Sequence, residues 1–216
     1  MPGPEFFRKL GLFVQPGFLD GATCARIRDE MRRVAADKQM VVRERRAYEG
    51  ENVLNESGRR VWGARITGAT EIFVSAELKA LKPRLARYFK VPLGACAGPN
   101  FLRYEVGGIH TPHRDVSPDS PSLIRDRKVS IVIFLNGPQT TRTDEDTYGG
   151  GELILYGLLD GPDWEKCGFP VPSSPGLLLA YPSDVQHEVR PVTSGQRFTI
   201  VAWFKSGSDQ TRASAK

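Results

Sequence analysis

Residues 109–115 read Ile109-His110-Thr111-Pro112-His113-Arg114-Asp115, and the backbone this run adopts decides how the surrounding chain folds. Pro112 has no amide hydrogen and would clash with a preceding helical turn, so the run is extended. Side chains two apart on an extended chain share a side. His113 and Asp115 therefore sit together, and strict alternation places His110 opposite them. An imidazole and a carboxylate on one face supply two ligands of a mononuclear metal site. His110 and His113, three apart and so on opposite faces, make a poor chelating pair. The chain has only three histidines, so His187 is the one left to complete a set of two imidazoles and a carboxylate. Arranged on one face of an octahedron, that set is associated with non-haem Fe(II) oxygenases and leaves positions open for substrate and O2.

Outward from this run the texture is of short strands between Gly, Pro and Asp, with no helical period after Pro92. The expected strands are Asn100 to Glu105, Ile109 to His113, Lys128 to Asn136, Glu152 to Tyr156, Gly176 to Tyr181, His187 to Pro191 and Arg197 to Lys205. Strands at this density predict a β-sandwich or a jelly-roll barrel. Three long connections, Val116 to Arg127, Gly137 to Gly151 and Gly157 to Pro175, are expected to rim a site. Within them, Ile124 to Lys128, Thr140 to Tyr148 and Trp164 to Phe169 carry both charges and aromatics, and Asp144-Glu145-Asp146 reads as a solvated loop tip. The apolar residues Ile131, Ile133, Leu135, Phe198, Trp203 and Phe204 are expected in the core.

Before Pro92 the chain reads as support. A strand is expected at Leu10 to Val14, then a helix capped by Asp20 whose apolar stripe is Cys24, Ile27, Met31 and Val34, with Arg26, Arg28, Asp29 and Arg32 outside it. Met40, Val41 and Val42 suggest a strand within the basic run Lys38 to Arg46, and Arg43, Arg45 and Arg46 read as a solvated edge. Tyr48 to Gly58 is polar and turn-rich, and another strand is expected at Arg60 to Ile66. A second helix over Ser75 to Phe89 places Leu78, Leu81, Leu85 and Tyr88 on one face, with Pro83 expected to kink or split it.

The 216 residues suffice for one domain with a sizeable core. Thirty Lys and Arg against 25 Asp and Glu give a net charge of +5, spread along the chain, so a nucleic-acid role has no particular support. Three widely spaced cysteines, Cys24, Cys96 and Cys167, argue for free thiols in a reducing compartment. No apolar run approaches the roughly 18 residues of a membrane helix. The expectation is a cytoplasmic protein without a membrane partner.

Beyond His187 comes the strand Arg197-Phe-Thr-Ile-Val-Ala-Trp-Phe204, in which Arg197 and Thr199 share a face. A guanidinium meets a carboxylate with two parallel hydrogen bonds, so this pair suits a dicarboxylate. Arg197 paired structurally with Asp184 or Glu188 is the plainer alternative.

With these residues in order, the chain resembles the 2-oxoglutarate- and Fe(II)-dependent oxygenases, most closely the prolyl 4-hydroxylase-like group. The resemblance is carried by Arg103-Tyr104-Glu105-Val106-Gly107, His113-Arg114-Asp115, Phe134-Leu135-Asn136, Gly150-Gly151-Glu152-Leu153, His187, Arg197 and Thr199, and covers about Asn100 to Lys205. It implies a mainly β fold, a double-stranded β-helix (jelly-roll) barrel with N-terminal helices packed on it. Residues 1–205 would then be a single oxygenase domain, with supporting helices in 1–95 and the jelly-roll core in 99–205; the polar segment 206–216 is expected to be a disordered tail. The resemblance further implies that His113, Asp115 and His187 bind Fe(II). Arg197 would pair with the distal carboxylate of 2-oxoglutarate, with Thr199 and Tyr104 as hydrogen-bonding partners and no catalytic residue beyond the metal ligands. The implied cofactors are Fe(II), 2-oxoglutarate and O2, with ascorbate as an optional reductant. The implied reaction hydroxylates an unactivated C–H bond of a small molecule or peptide, a prolyl residue among the candidates, with succinate and CO2 as co-products. Many relatives carry a tyrosine where His110 stands, and some where Phe134 stands. A cupin-like protein that holds metal without oxidising, and a nucleic-acid- or peptide-binding barrel, are the alternatives. A halogenase is disfavoured because the Asp115 carboxylate fills the position a halide needs.

Overall fold

The computed structural model describes residues 3–38, 41–44, 50–53, 58–118, 120–122, 124–139, 146–162 and 164–207. The first part of the chain folds as α1 (Pro4–Lys9), β1 (Phe13–Gln15), α2 (Gly21–Arg33), β2 (Ala36–Lys38), β3 (Val41–Glu44), β4 (Gly50–Val53), β5 (Arg59–Arg60), β6 (Trp62–Ala64) and α3 (Ala69–Phe89). Strands follow: β7 (Leu93–Tyr104), β8 (Ile109–His113), β9 (Arg127–Phe134), β10 (Gly137–Pro138), β11 (Thr147–Gly150) and β12 (Leu153–Tyr156). The last are β13 (Gly168–Pro170), β14 (Leu178–Pro182), β15 (His187–Val189), β16 (Val192–Gly195) and β17 (Arg197–Ser206).

Two antiparallel sheets hold the site. The larger has the order β1-β14-β9-β17-β7-β6-β2 and the smaller β13-β12-β15-β8-β5. Alternation along the central strands of the larger sheet separates two cores. Ile131 and Ile133 of β9, Leu178 and Ala180 of β14, and Phe198, Ile200, Ala202 and Phe204 of β17 pack with Cys24, Ile27 and Met31 of α2 and Val74, Leu78, Leu81 and Leu85 of α3. The intervening residues Val132, Phe134, Leu179 and Tyr181 meet Leu153, Leu155 and Val189 of the smaller sheet. Facing sheets with helices on one outer face are the jelly roll expected.

Both long helices form where their signals lie. Asp20 caps α2 by accepting the Thr23 amide at 2.7 Å. In α3 the buried Val74, Leu78, Leu81 and Leu85 run straight past Pro83, so the helix is continuous and is not split. Packing of that apolar face outweighs the hydrogen bond that proline removes. The Tyr88 hydroxyl ties α3 to the Leu12 carbonyl at 2.7 Å.

Several expectations are corrected. Arg28 is buried, not outside: it donates to the Leu135 carbonyl at 2.6 Å and pairs with Asp146 at 2.5 Å. Asp146, also bound by Arg32 at 3.0 Å, is therefore an anchor and not a solvated tip. Tyr148 is buried and bonded to Ser173, not on a rim. Trp203 is half-exposed and points away from the helix core, into the cavity described below. Strand β17 continues to Ser206, and the Gly207 amide still bonds the Pro92 carbonyl, so regular pairing passes the expected boundary at 205. The rest of that tail, residues 208–216, lies outside the described residues, as do Met40, Arg45, Arg46, Asp144, Glu145 and the side chain of Arg43.

Leu85 is fully buried where α3 meets the larger sheet. Leu85→Ala is expected to lower unfolding free energy by about 2–5 kcal/mol, measured by urea denaturation.

Candidate metal and co-substrate site

Strand β8 forms as expected, and its pairing with β15 sets His187 directly across from His113. The next registered pair is Val189 with His110, so three steps on β8 oppose two on β15. The extra residue is a β-bulge, and it turns His110 back to the side that simple alternation denied it. The His110 ring stacks on that of His113 with centroids 3.5 Å apart and planes at 27°. Pro112, which cannot donate to a ladder, stands inside the bulge.

The ligating atoms of His113, Asp115 and His187 all lie within 4.8 Å of one another, an arrangement able to hold a metal ion. The His187 Nε2 is 3.8 Å from the Asp115 carboxylate, and the rings of His113 and His187 are 4.2 Å apart. Each imidazole is aimed by its own backbone. The Nδ1 of His113 lies 2.8 Å from the Thr111 carbonyl and that of His187 3.0 Å from the Val185 carbonyl. With Nδ1–H donating to those carbonyls, both Nε2 lone pairs face the site.

Asp115 is steadied from the opposite sheet: Ser130 donates to it at 2.6 Å, and the Trp203 side chain donates as well. Burial alone would push this carboxyl up. His187, His113 and the two hydrogen bonds outweigh burial and hold it below the usual carboxylate range. Burial, then the charge of His187, lowers His113 to about 4. Burial and the neighbouring His113 and Arg59 push His110 well below the ordinary histidine range. At neutral pH His113 is therefore a neutral imidazole and Asp115 an ionised carboxylate, the protonation states a divalent metal requires of them.

On β17, Arg197, Thr199, Val201 and Trp203 alternate onto the cavity side, and Tyr104 is the register partner of Arg197 on β7. Arg197 is 2% exposed, its guanidinium lies 5.0 Å from the Tyr104 ring, and its Nε has no hydrogen-bond partner. The Thr199 hydroxyl is likewise buried without one. Neither of the alternative partners takes Arg197, since Glu188 is occupied by Tyr156 at 2.6 Å and by Arg190 at 3.6 Å. Burial raises the Tyr104 hydroxyl, which keeps it a donor. A buried cation beside unsatisfied donors is costly unless an anion arrives, so these residues fit the distal carboxylate of a dicarboxylate.

Two quoted motifs set this geometry. Asn136 accepts the Phe198 amide at 2.9 Å and donates to the Gln196 carbonyl at 2.7 Å, clasping the end of β9 to the start of β17 beside Arg197. Gly151 has φ +65°, and a Cβ there would lie 3.0 Å from Cδ of Arg197, so glycine leaves that stem its space.

His113, Asp115, His187, Arg197, Thr199 and Tyr104 all line one cavity of about 560 Å³, within the usual range for ligand sites. Ile124 and Arg127 of the expected rim line it. Among the described residues of Trp164 to Phe169 none does, and most of Thr140 to Tyr148 lies outside the described residues. Residues not singled out beforehand are Ser130 and Arg59. Ser130 was detectable as the lone polar residue of Val129-Ser-Ile-Val-Ile-Phe134.

Fold and site together define a jelly-roll protein with two histidines and a carboxylate grouped beside a buried guanidinium. Residues 99–205 match the family model of the 2OG-Fe(II) oxygenase superfamily, and this half of the chain belongs to that superfamily. The family's cofactors are Fe(II), 2-oxoglutarate and O2. A PKHD-type hydroxylase of Maricaulis maris is 34% identical over 104 residues, 48% of this chain and 40% of that protein. A PKHD-type hydroxylase of Hyphomonas neptunium is 28% identical over 184 residues, 80% of this chain and 73% of that protein. The match to the Maricaulis relative and others like it thus spans about two fifths of their length. Among solved structures, a Pseudomonas putida prolyl-4-hydroxylase aligns with TM-score 0.67 at 19% identity, covering 94% of this chain and 97% of that one. A Trichoplax adhaerens prolyl hydroxylase, in complex with a hypoxia inducible factor peptide fragment, aligns with TM-score 0.70 at 19% identity, covering 98% and 90%. These likenesses establish the jelly-roll fold. No described helix is long and apolar enough to cross a membrane.

The lowered His113 makes stability pH-dependent. In the metal-free protein folded His113 protonates near 4, against 6.5 for an ordinary histidine, so the unfolded chain binds more protons between those values. The contribution is full above about 6.5 and is lost as the pH falls towards 4. The melting temperature is expected to drop across that window, and to drop less in His113→Gln, as followed by circular dichroism.

Proposed function

We propose that this protein is a 2-oxoglutarate- and Fe(II)-dependent hydroxylase in which His113, Asp115 and His187 hold the metal and Arg197, Thr199 and Tyr104 bind the distal carboxylate of the co-substrate. The observation that carries the reading is the buried guanidinium of Arg197 with unsatisfied donors, on the wall of the same cavity as the three grouped ligands. Fe(II) with 2-oxoglutarate supplies the oxidation: one oxygen atom of O2 enters a C–H bond and the other enters succinate as CO2 leaves. The chain contributes position and environment. Ser130 and Trp203 hold Asp115 still, the Thr111 and Val185 carbonyls hold the two imidazoles, and the Asn136 clasp fixes Arg197 relative to them. Burial of Arg197 keeps water from competing for its donors.

The substrate is read as a peptidyl group, with a prolyl residue the leading candidate. Support comes from the PKHD-type names of the relatives and from the Trichoplax structure, which holds a peptide. The same reading takes residues 1–205 as one oxygenase domain.

Succinate formation from 2-oxoglutarate tests the assignment. The His113→Ala, Asp115→Ala double variant is expected to abolish it, and persistence of turnover would remove the metal assignment. Arg197→Gln loses charge-assisted hydrogen bonds of about 1.5–3 kcal/mol, so its Kd for 2-oxoglutarate is expected to rise about tenfold to a hundredfold, read by calorimetry on Mn(II)-loaded protein.

A further inference from the structure

Paired strands carry their side chains across the larger sheet in rows, and one row lies opposite the metal end of the cavity. Ser130 of β9 is the register partner of Trp203 of β17 on one side and of Tyr181 of β14 on the other. Two members of the row are already committed, since Ser130 and the Trp203 side chain both donate to Asp115. Tyr181 is the third. It lines the cavity and is 1% exposed, and its ring meets that of His187 edge-on, with centroids 5.2 Å apart and planes at 68°.

That contact fixes the ring but leaves the hydroxyl without a task. Among the described residues none accepts a hydrogen bond from it, although the hydroxyls of Tyr88, Tyr148 and Tyr156 each find a partner. A buried phenol usually finds one, because an unbonded O–H inside a protein is costly. Burial raises Tyr181 well above the ordinary tyrosine range, and the groups whose charge acts on it are, in falling order, Asp115, Tyr104 and Arg197. The hydroxyl therefore stands between the two ends of the assigned co-substrate site, with Asp115 at the metal end acting on it most.

We propose that Tyr181 is a further co-substrate-binding residue, whose hydroxyl donates a hydrogen bond to the keto-acid end of 2-oxoglutarate, the end opposite the carboxylate assigned to Arg197. This rests on the hydroxylase reading and extends it. A dicarboxylate clamped only at its distal carboxylate is free to rotate about the methylene chain that joins its two ends. A second donor at the far end removes that freedom, and the keto acid is held in one orientation toward His113, Asp115 and His187. A neutral O–H suits this position, because a second cation so close to the ligand triad would repel the metal.

The test compares full-length wild type with Tyr181→Phe, which keeps the ring against His187 and removes only the oxygen. Metal-free Tyr181→Phe is expected to melt no lower than wild type by circular dichroism, because the lost hydroxyl has no partner in the protein. On Mn(II)-loaded protein its Kd for 2-oxoglutarate is expected to rise about threefold to tenfold by calorimetry, the worth of one hydrogen bond. Fe(II)-loaded protein with saturating 2-oxoglutarate and no oxygen is expected to show a metal-to-keto-acid charge-transfer band in visible absorption. Tyr181→Phe is expected to shift that band, whereas Arg197→Gln, acting at the distal end, leaves its position unchanged. An unmoved band in Tyr181→Phe overturns the proposal: with an unchanged Kd the hydroxyl does not touch the co-substrate, and with a raised Kd it serves the distal carboxylate. A lowered melting temperature also overturns it, since the hydroxyl would then be spent within the protein. These outcomes leave the hydroxylase reading standing. Failure of wild type both to bind 2-oxoglutarate and to develop the band overturns that reading and this one with it.

Discussion

Arg197 is a guanidinium buried inside a β-barrel, and much of the architecture serves to make that tolerable. A cation there costs several kcal/mol unless matched, so the surroundings must keep it precisely placed for an incoming anion. Strand β17 does this by alternation: Phe198, Ile200, Ala202 and Phe204 anchor one face under the helices, and Arg197, Thr199 and Trp203 are carried onto the other. The Asn136 clasp prevents β17 from slipping against β9, since a one-residue slip would bury Arg197 among the helices. Gly151 leaves the arginine stem room. Helices far from the cavity thus act on it through the strand they hold in register.

The grouped residues His113, Asp115 and His187 depend on the facing sheet in a complementary way. His113 and His187 come from adjacent strands of the smaller sheet, and Asp115 follows β8, but its carboxylate is gripped by Ser130 and Trp203 of the larger sheet. The site therefore bridges both walls. Its shape reports whether the sheets are correctly closed, which neither sheet could ensure alone.

How much of this was legible follows from the physics of each feature. The extent of β8, the Asp20 cap, the same-side placement of His113 with Asp115 and that of Arg197 with Thr199 all rest on local rules, period two or a single hydrogen bond, and they hold. The short strands β10, β11, β13 and β16 were missed because two to four residues show no period, and they exist through pairing with distant segments. The Leu93 to Pro99 part of β7 was missed because glycine, alanine and proline carry little strand preference. Arg28 was placed outside on polarity, yet the Leu135 carbonyl and Asp146 that bury it lie over a hundred residues away. Trp203 was misread for a different reason. Parity with Arg197 and Thr199 puts it on the cavity side, and aromatic character does not override that parity. For His110 the opposite holds, since parity does not carry through a bulge that appears only once β15 is laid alongside.

That bulge also shapes the electrostatics of the cavity. Two imidazole planes 3.5 Å apart cannot both be charged, and burial disfavours charging either. His110 and His113 are thereby held neutral, so the fixed charge of the described cavity lining comes from arginines, from Asp115 and from Asp37, which Arg65 pairs. A divalent cation entering such a site is attracted by one carboxylate and repelled by several guanidiniums. A dicarboxylate entering without the metal leaves the ligand triad unused. In the proposed assignment each would offset the charge that opposes the other, so metal and co-substrate would support one another's binding through the field of the cavity, with no conformational change needed.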